Sequence, residues 1–140
     1  MQRVFANEHW TLDRHPDHPL LIVRRTPALY RSIPALTKAF DELDAALNGC
    51  NRSRFSLLID LREAIGRNDP DFERATKGHP RRLTHGFIRA AVLVRTANGM
   101  LQVKRAAAGI GDRSHAFSNE AEAMAYLVPP GEDAKPPAAS

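Results

Sequence analysis

FSLLID, at residues 55–60, is a largely apolar run that ends in a carboxylate. Two comparable runs lie on either side of it in the chain, LLIV at residues 20–23 and AAVLV at residues 90–94. A strand with one wet face alternates polar and apolar residues, whereas a strand covered on both faces is apolar almost throughout. The three runs therefore predict adjacent strands of one sheet whose two faces are both shielded by helices.

An opening hairpin is predicted before the first helix. Residues 8–13 alternate polar and apolar side chains, which indicates a strand with one wet face. Residues 14–19 hold two prolines and an aspartate, a composition typical of a turn, and they lead into the run at residues 20–23. A further short strand is predicted at residues 115–117.

Four helices are predicted in the segments that follow the hairpin. Their starts are marked by residues whose side chains accept a hydrogen bond from the free amides of a first turn. The first helix is expected to end at Gly49 and the second near residues 78–80. The expected starts are Ser32, Asp69-Pro70, Asn98, and Ser118 or Asn119, and the expected buried residues are Leu36, Phe40, Leu43 and Leu47, then Phe72 and Ala75, and finally Ala121, Met124, Leu127 and Val128.

This order of elements predicts an α/β fold. Alternating strands and helices favour a mixed, mostly parallel sheet of four to five strands with an opening β-hairpin and about four helices. A chain of 140 residues fits one domain, which we place at residues 1–128. Residues 129–140 are rich in proline and small residues, and they are predicted to form a disordered tail.

The layout resembles that of the SpoIIAA-like proteins, relatives of the STAS domains of anti-sigma-factor antagonists. The resemblance rests on the strand at residues 55–60 with its loop and helix, on FIRAAVLV at residues 87–94, and on AFSNEAEAMAYL at residues 116–127. It implies a SpoIIAA-like sandwich and a non-enzymatic regulatory or ligand-sensing module. STAS-type switches carry a phosphorylatable serine or threonine after the third strand. DLREAIGRND, at residues 60–69, has no hydroxyl residue, so no phosphorylation switch is expected there.

Candidate binding residues follow the three apolar runs. Ligands of open α/β sheets gather outside the carboxyl ends of the parallel strands, which here are followed by residues 24–32, 60–69 and 95–98. Arginines in such loops hold a carboxylate or phosphate through forked hydrogen bonds, or else neighbouring aspartates tie them down in salt bridges. The candidate ligand-binding or partner-binding residues are Arg25, Thr26, Tyr30, Asp60, Arg62, Arg67, Asn68 and Thr96.

Motifs for catalysis, metals and cofactors are missing from the sequence. It contains no Gly-x-Ser-x-Gly elbow, no phosphate-binding Gly-Lys loop and no Gly-x-Gly-x-x-Gly. The lone cysteine, Cys50, has no base beside it in the chain. His9, His15 and His18 lie around a turn and are better explained as its polar residues than as zinc ligands. We therefore predict no catalytic residue, no metal and no cofactor.

Charge and hydropathy argue against a nucleic-acid or membrane partner. The net charge is +4, but the arginines are spread along the whole chain, which favours a solvated surface. The densest basic stretch, around Arg81-Arg82, lacks the stacking aromatics of a nucleic-acid site and the apolar face of a membrane-binding helix. No apolar run approaches the roughly 20 residues of a membrane span, and residues 1–10 show no signal-peptide pattern, so a cytoplasmic location is expected.

Together these patterns predict a non-enzymatic regulatory or protein-interaction module with an unknown protein partner. Its contact surface would be the charged loop at residues 62–69 and the helix that follows. The alternative is a protein that binds a small apolar or anionic ligand through the carboxyl-end loops, with Phe40, Phe72 and Met100 either as pocket walls or as ordinary core. A homodimer is left open.

Overall fold

The computed structural model describes residues 1–64, 70–95 and 114–128, and these contain a six-stranded sheet. The strands lie side by side in the order of the sequence. Neighbouring strands among the first three are antiparallel, and the last four run parallel. The strands are β1 (Gln2–Ala6), β2 (Trp10–Arg14), β3 (Leu20–Arg25), β4 (Ser56–Asp60), β5 (Ala90–Leu93) and β6 (Ser114–Phe117).

The predicted mixed, mostly parallel sheet with its opening β2–β3 hairpin is confirmed, but the predicted count of four to five strands is wrong. The additional strand is β1, which pairs with β2 at the edge of the sheet. Its register shifts between Arg3 and Phe5, and most of its residues are exposed. Backbone pairing rather than side-chain burial holds this strand, so its sequence carries no period-two signal.

Helices cover the sheet in the described ranges and begin as their caps predict. The Ser32 hydroxyl accepts the amide of Ala35 at 3.2 Å, and the Asn119 side chain accepts that of Glu122 at 3.1 Å. Both contacts satisfy amides that a helix start leaves without partners. The helices are α1 (Ile33–Gly49), α2 (Pro70–Thr76), α3 (His79–Thr84) and α4 (Glu120–Leu127), with a 3₁₀ turn at Arg52–Arg54.

The helices differ from the predictions in two places, and some predicted features lie outside the described residues. The predicted second helix is α2, which ends at Thr76, and α3 is an additional short helix that was not predicted; Pro80 is tolerated in its first turn. In α4, Ala123 and Leu127 are buried, whereas Ala121 is exposed. The predicted helix start at Asn98, Met100 and the predicted tail at residues 129–140 lie outside the described residues.

The two faces of the sheet have separate cores. Successive side chains of a strand point to opposite faces, so Leu21 and Val23 pack toward α1 and α3, while Leu20 and Ile22 pack toward α4. We call these sides the α1 face and the α4 face. Every residue of β4 and β5 is buried, as the apolar runs predict. Burying a single leucine stabilises the fold by about 1.5–3 kcal/mol.

A buried arginine joins the end of α1 to α3. Arg52 donates to the Asp44 carboxylate and to the Asn48 amide oxygen, each at 3.1 Å. The positive φ of Gly86, 85°, lies in the left-handed region where glycine is favoured, next to the Arg52 side chain. The remaining Arg52 bonds go from Nη1 to the carbonyl oxygens of Arg82, Leu83 and His85 at 2.9, 3.2 and 3.0 Å.

Candidate functional site

The sheet divides the predicted site residues between its two faces. Arg24 and Arg25 are adjacent in β3, so their side chains lie on opposite sides of the sheet. Arg25 lies on the α1 face with Thr26 and Tyr30 nearby. Asp60 and Arg62 form ion pairs on the α4 face. Arg67, Asn68 and Thr96 lie outside the described residues.

Arg25 lies among aromatic rings at the carboxyl end of β3. Its Cζ atom is 4.3 Å from the centre of the Tyr30 ring and 5.8 Å from that of the Trp10 ring. The His9 ring stacks on Tyr30 with the centres 4.3 Å apart and an interplanar angle of 20°. We call His9, Trp10, Arg25 and Tyr30 the arginine–aromatic cluster. Phe72 of α2 meets Tyr30 edge-on at 6.4 Å.

The Arg25 guanidinium is buried without a carboxylate. Arg25 is 6% exposed, and no described Asp or Glu side chain forms a salt bridge with it. Its Nη1 atom donates to the carbonyl oxygens of Thr26 and His9, the latter at 3.4 Å. Burial lowers the pKa of Arg25, which remains a cation at neutral pH. Cation–π contacts of about 0.5–2 kcal/mol offset only part of the desolvation cost of such a charge.

Trp10 brings a second unmet donor to the cluster. Trp10 is 7% exposed, and its indole Nε1 meets no acceptor in hydrogen-bond geometry among the described residues. Burial raises the pKa of Tyr30, although the Arg25 charge and the Trp10 indole N–H would each favour its phenolate. Tyr30 is therefore a neutral phenol at pH 7, and it brings no negative charge to the Arg25 guanidinium.

Contacts to backbone carbonyl oxygens hold the loop that carries Tyr30. The Thr26 hydroxyl donates to the Glu8 carbonyl at 2.7 Å, and the Thr26 amide donates to the His9 carbonyl at 2.9 Å. His9 Nε2 lies 3.2 Å from the Leu29 carbonyl oxygen. These contacts tie the loop after β3 to the turn between β1 and β2. The cluster is thus held in place by the fold.

Sequence reasoning did not select His9 and Trp10 as site residues. Trp10 stands directly opposite Arg25 in the β2–β3 ladder. The predicted hairpin contained the necessary signal, because two strands joined by one turn pair residues at similar distances from that turn. Counting outward from residues 14–19 would have brought Trp10 close to Arg25.

The α4 face carries a row of alternating charges. We call Arg3, Asp13, Arg24, Asp60, Arg62 and Glu120 the ion-pair row. The Arg62 side chain forms a bidentate contact with the Asp60 carboxylate, with Nε–Oδ1 and Nη2–Oδ2 distances of 3.0 and 2.8 Å. The Arg62 backbone amide also donates to Oδ1 at 3.0 Å. The links between neighbours are Arg3–Asp13 at 2.5 Å, Arg24–Asp13 at 3.3 Å, Arg24–Asp60 at 3.7 Å and Arg62–Glu120 at 3.0 Å.

Every arginine in this row faces at least one carboxylate. Burial alone would raise the pKa of Asp60, but hydrogen bonds from Arg62 and the charges of Arg62 and Arg24 outweigh it, so the pKa is lowered. The hydrogen bond to Asp60 in turn raises the pKa of Arg62. This is the salt-bridged arrangement that the sequence left as one alternative. Arg62 has little unmet capacity for an anionic ligand.

The other candidate groups that the structure describes have structural roles. The Cys50 thiol donates to the Ala46 carbonyl at 3.5 Å, and burial raises its pKa, so it remains a protonated thiol. Phe40 is 1% exposed within the α1-face core, where His79 stacks on it at 3.6 Å. Across the described ranges no three His, Cys, Asp or Glu side chains converge as metal ligands would. A shallow groove follows the outer side of α1 from Ile33 to Ala45, away from Arg25 and Asp60.

Comparison with known proteins identifies the fold. No protein-family model matches the chain, and no curated protein matches it. Among solved structures, the chain is similar to an uncharacterised DUF3478-family protein with a SpoIIAA-like fold from Shewanella loihica PV-4. The TM-score is 0.55 at 19% identity, over 88% of this chain and 98% of that one. The fold is therefore SpoIIAA-like, as the resemblance implied. Within the described residues, no helix combines the length and apolar character of a bilayer span.

Proposed function

We propose that this chain is a non-enzymatic binding module that holds a small anion at the arginine–aromatic cluster. The observation that carries this proposal is Arg25, a cation that is 6% exposed and has no carboxylate partner among the described residues. Buried charges in proteins are normally paired, because an unpaired one costs several kcal/mol. An anionic ligand would supply the missing charge at a site where the fold has already arranged the donors.

The position of the cluster supports a ligand site. It lies at the carboxyl end of β3, the first strand of the parallel part of the sheet. Ligands of open α/β sheets bind at this end of the strands. The nearby arginines on the other face, Arg24 and Arg62, already face carboxylates at 2.8–3.7 Å. Arg25 is therefore the better anion receptor of the three.

The groups described so far favour binding over catalysis. Cys50, the one thiol of the chain, is held protonated and half-buried. The cluster's own phenol, Tyr30, has a raised pKa and is a poor base at neutral pH. A module that binds without transforming its ligand fits these features with the fewest additional groups.

The intrinsic fluorescence of Trp10, the single tryptophan of the chain, tests the proposal. The wild-type protein would be titrated with sodium acetate, benzoate, sulfate and phosphate at constant ionic strength. We expect at least one anion to give a saturable change that Arg25→Met abolishes. Arg31→Met is the matched control, because Arg31 lies on the same loop with an 86% exposed side chain. Wild-type fluorescence that responds saturably to none of these anions would contradict the proposal.

A protein partner at the exposed end of the ion-pair row is the second candidate function. Arg62 and Glu120 have 39% and 56% exposed side chains, and Glu63 and Arg95 beside them are 65% and 68% exposed. These charges lie where β4 and β5 end and α4 begins, and together they offer both signs to a complementary surface. The sequence favoured a partner at the loop of residues 62–69 and the helix that follows; this candidate keeps the described start of that loop and adds Arg95 and Glu120.

Charge reversal distinguishes this second candidate from the first. Affinity capture with the wild-type protein, with Arg62→Glu/Arg95→Glu and with Arg31→Glu would be compared by quantitative mass spectrometry. A partner of this surface should be lost with the double variant and kept with Arg31→Glu. A partner that survives the double variant binds elsewhere, and this candidate would then be abandoned.

A further inference from the structure

We infer that the ligand of the arginine–aromatic cluster is a small monocarboxylate that carries a flat apolar group, such as an aromatic ring. This inference rests on the proposed anion site at Arg25 and adds the chemical class of its ligand. It draws on the bonding pattern of the guanidinium, on the unmet indole N–H, and on the rings around them.

The first argument is that the Arg25 guanidinium is held by neutral groups among the described residues. Its Nη1 atom donates to the Thr26 and His9 carbonyls and approaches the Thr26 hydroxyl, and the Tyr30 side chain also interacts with the guanidinium. The Nε and Nη2 atoms form the parallel pair of donors that a carboxylate receives in a bidentate contact. Because Tyr30 is a neutral phenol, no described residue supplies the negative charge that this pair of donors would hold.

The second argument is the balance of charge. The cluster contains one cation, Arg25, and its aromatic surroundings are buried: Trp10 is 7% exposed and Phe72 is 6% exposed. A monocarboxylate cancels this charge one for one. A phosphate near neutral pH brings up to two negative charges into the same apolar surroundings, and the second one would be desolvated without a partner. Tyr30 adds no negative charge of its own, because burial raises its pKa.

The third argument is the nature of the walls. Trp10 and Tyr30 lie within 5.8 Å of the Arg25 Cζ atom, and Phe72 meets the Tyr30 ring edge-on. Aromatic rings associate by offset stacking and edge-to-face contact, so these walls favour a flat apolar group over a chain of hydroxyls. The buried indole N–H of Trp10, without an acceptor in the described residues, is a second donor for the acid. Small-molecule sites commonly combine apolar walls with a few convergent polar groups.

The indole N–H resonance of Trp10 provides a direct readout, because the chain has one tryptophan and hence one such signal. Uniformly ¹⁵N-labelled full-length protein would be titrated with benzoate, its neutral analogue benzamide, acetate and inorganic phosphate. We expect benzoate to shift this resonance downfield and to saturate at millimolar concentration or below. Acetate should bind at least about tenfold more weakly for want of a ring, and benzamide and phosphate should not saturate.

Variants at Arg25 and Arg31 complete the test. Arg25→Lys keeps the charge but loses the fork, so benzoate affinity should fall by about tenfold or more, while Arg31→Lys should leave it unchanged. Phosphate that binds more tightly than benzoate would overturn the monocarboxylate inference and leave the anion-site proposal standing. Acetate binding equal to benzoate would overturn the aromatic part. Benzamide binding equal to benzoate, or no binding by any of the four, would overturn both the inference and the proposed function.

Discussion

Arg24 and Arg25 are neighbours in the chain, yet the fold treats them in opposite ways. Arg24 points to the α4 face, where Asp13 and Asp60 lie within 3.3 and 3.7 Å of its guanidinium. Arg25 points to the α1 face, where it meets aromatic rings and backbone carbonyls and no described carboxylate. Arg24 is half-buried and neutralised, whereas Arg25 is buried and its charge meets no carboxylate among the described residues.

This contrast assigns different roles to the two faces: the ion-pair row stabilises the fold, and the arginine–aromatic cluster is suited to binding. In the ion-pair row, carboxylates such as Asp60 are buried and depend on their arginines, so removing an arginine leaves a costly unpaired charge. In the arginine–aromatic cluster, the cation has no carboxylate partner among the described residues, and removing it should cost the fold little. Proteins accept such locally unfavourable arrangements mainly where function requires them. The four predictions that follow compare the two faces through changes in stability.

The largest effect is expected from Arg62→Met on the α4 face. It removes two charge-assisted hydrogen bonds from the buried Asp60, so the free energy of unfolding at pH 7 should fall by about 2 kcal/mol. Chemical denaturation followed by circular dichroism measures this. The pKa of Asp60 is lowered in the fold, so its contribution is complete above the ordinary aspartate pKa and is lost as the pH falls through the lower folded value. The loss should therefore shrink at pH 3, and a loss that is the same at both pH values would refute the role of the Asp60 charge.

A smaller loss of unfolding free energy is expected on the other face of the sheet, the α1 face, when His79 is protonated. Burial, and then the charge of Arg82, lower the pKa of His79 to about 4, against the partial opposition of Asp41 and Asp44. Between pH 6.5 and 4 the unfolded chain binds a proton that the fold does not, so stability falls with pH in this window. After allowance for solvent screening, the loss should be about 1–2 kcal/mol.

His79→Phe is the matched variant for this prediction, because it keeps the ring that stacks on Phe40 and removes the titrating group. Unfolding free energies measured from pH 7 to pH 4.5 should decline in the wild-type protein and stay nearly level in the variant. The α1 face would then weaken at higher pH than the ion-pair row. Parallel declines in the two proteins would show that His79 is not the responsible group.

Arg25→Met should change the unfolding free energy by less than about 1 kcal/mol at pH 7. The variant loses hydrogen bonds to the carbonyls of His9 and Thr26, but it also removes a buried charge that lacks a carboxylate, and these two effects oppose each other. Measured beside Arg62→Met under the same conditions, it provides the sharpest test of the comparison. A loss as large as that of Arg62→Met would mean that Arg25 is a structural arginine.

The smallest effect is expected from Glu120→Gln. Its carboxylate pairs with Arg62 at 3.0 Å, but the side chain is 56% exposed, so water and salt screen the pair. The unfolding free energy should fall by less than about 0.5 kcal/mol, and this small difference should vanish in 1 M NaCl. A loss comparable to that of Arg62→Met would show that the row depends on its exposed end as much as on buried Asp60.

Local patterns in the sequence predicted much of the fold. The apolar runs around Leu57 and Ala91 are strands buried on both faces, and Ser32 and Asn119 cap the helices that follow them. These features depend on side-chain periodicity and on contacts between residues a few positions apart, which can be read directly from the chain. Edge strand β1 and the short helix α3 were missed, because backbone pairing and a proline-tolerant helix start leave a weaker pattern.

The sequence by itself determined that arginines, an aspartate and a tyrosine stand at the carboxyl ends of three strands in an α/β chain. The tertiary structure alone decided that Arg25 joins Trp10 and Tyr30 on one face, while Arg62 joins Glu120 on the other. The physical reason is range. A side chain's alternation and capping follow from its near neighbours, but its partner across the sheet follows from strand order and register, to which residues distant in the chain contribute.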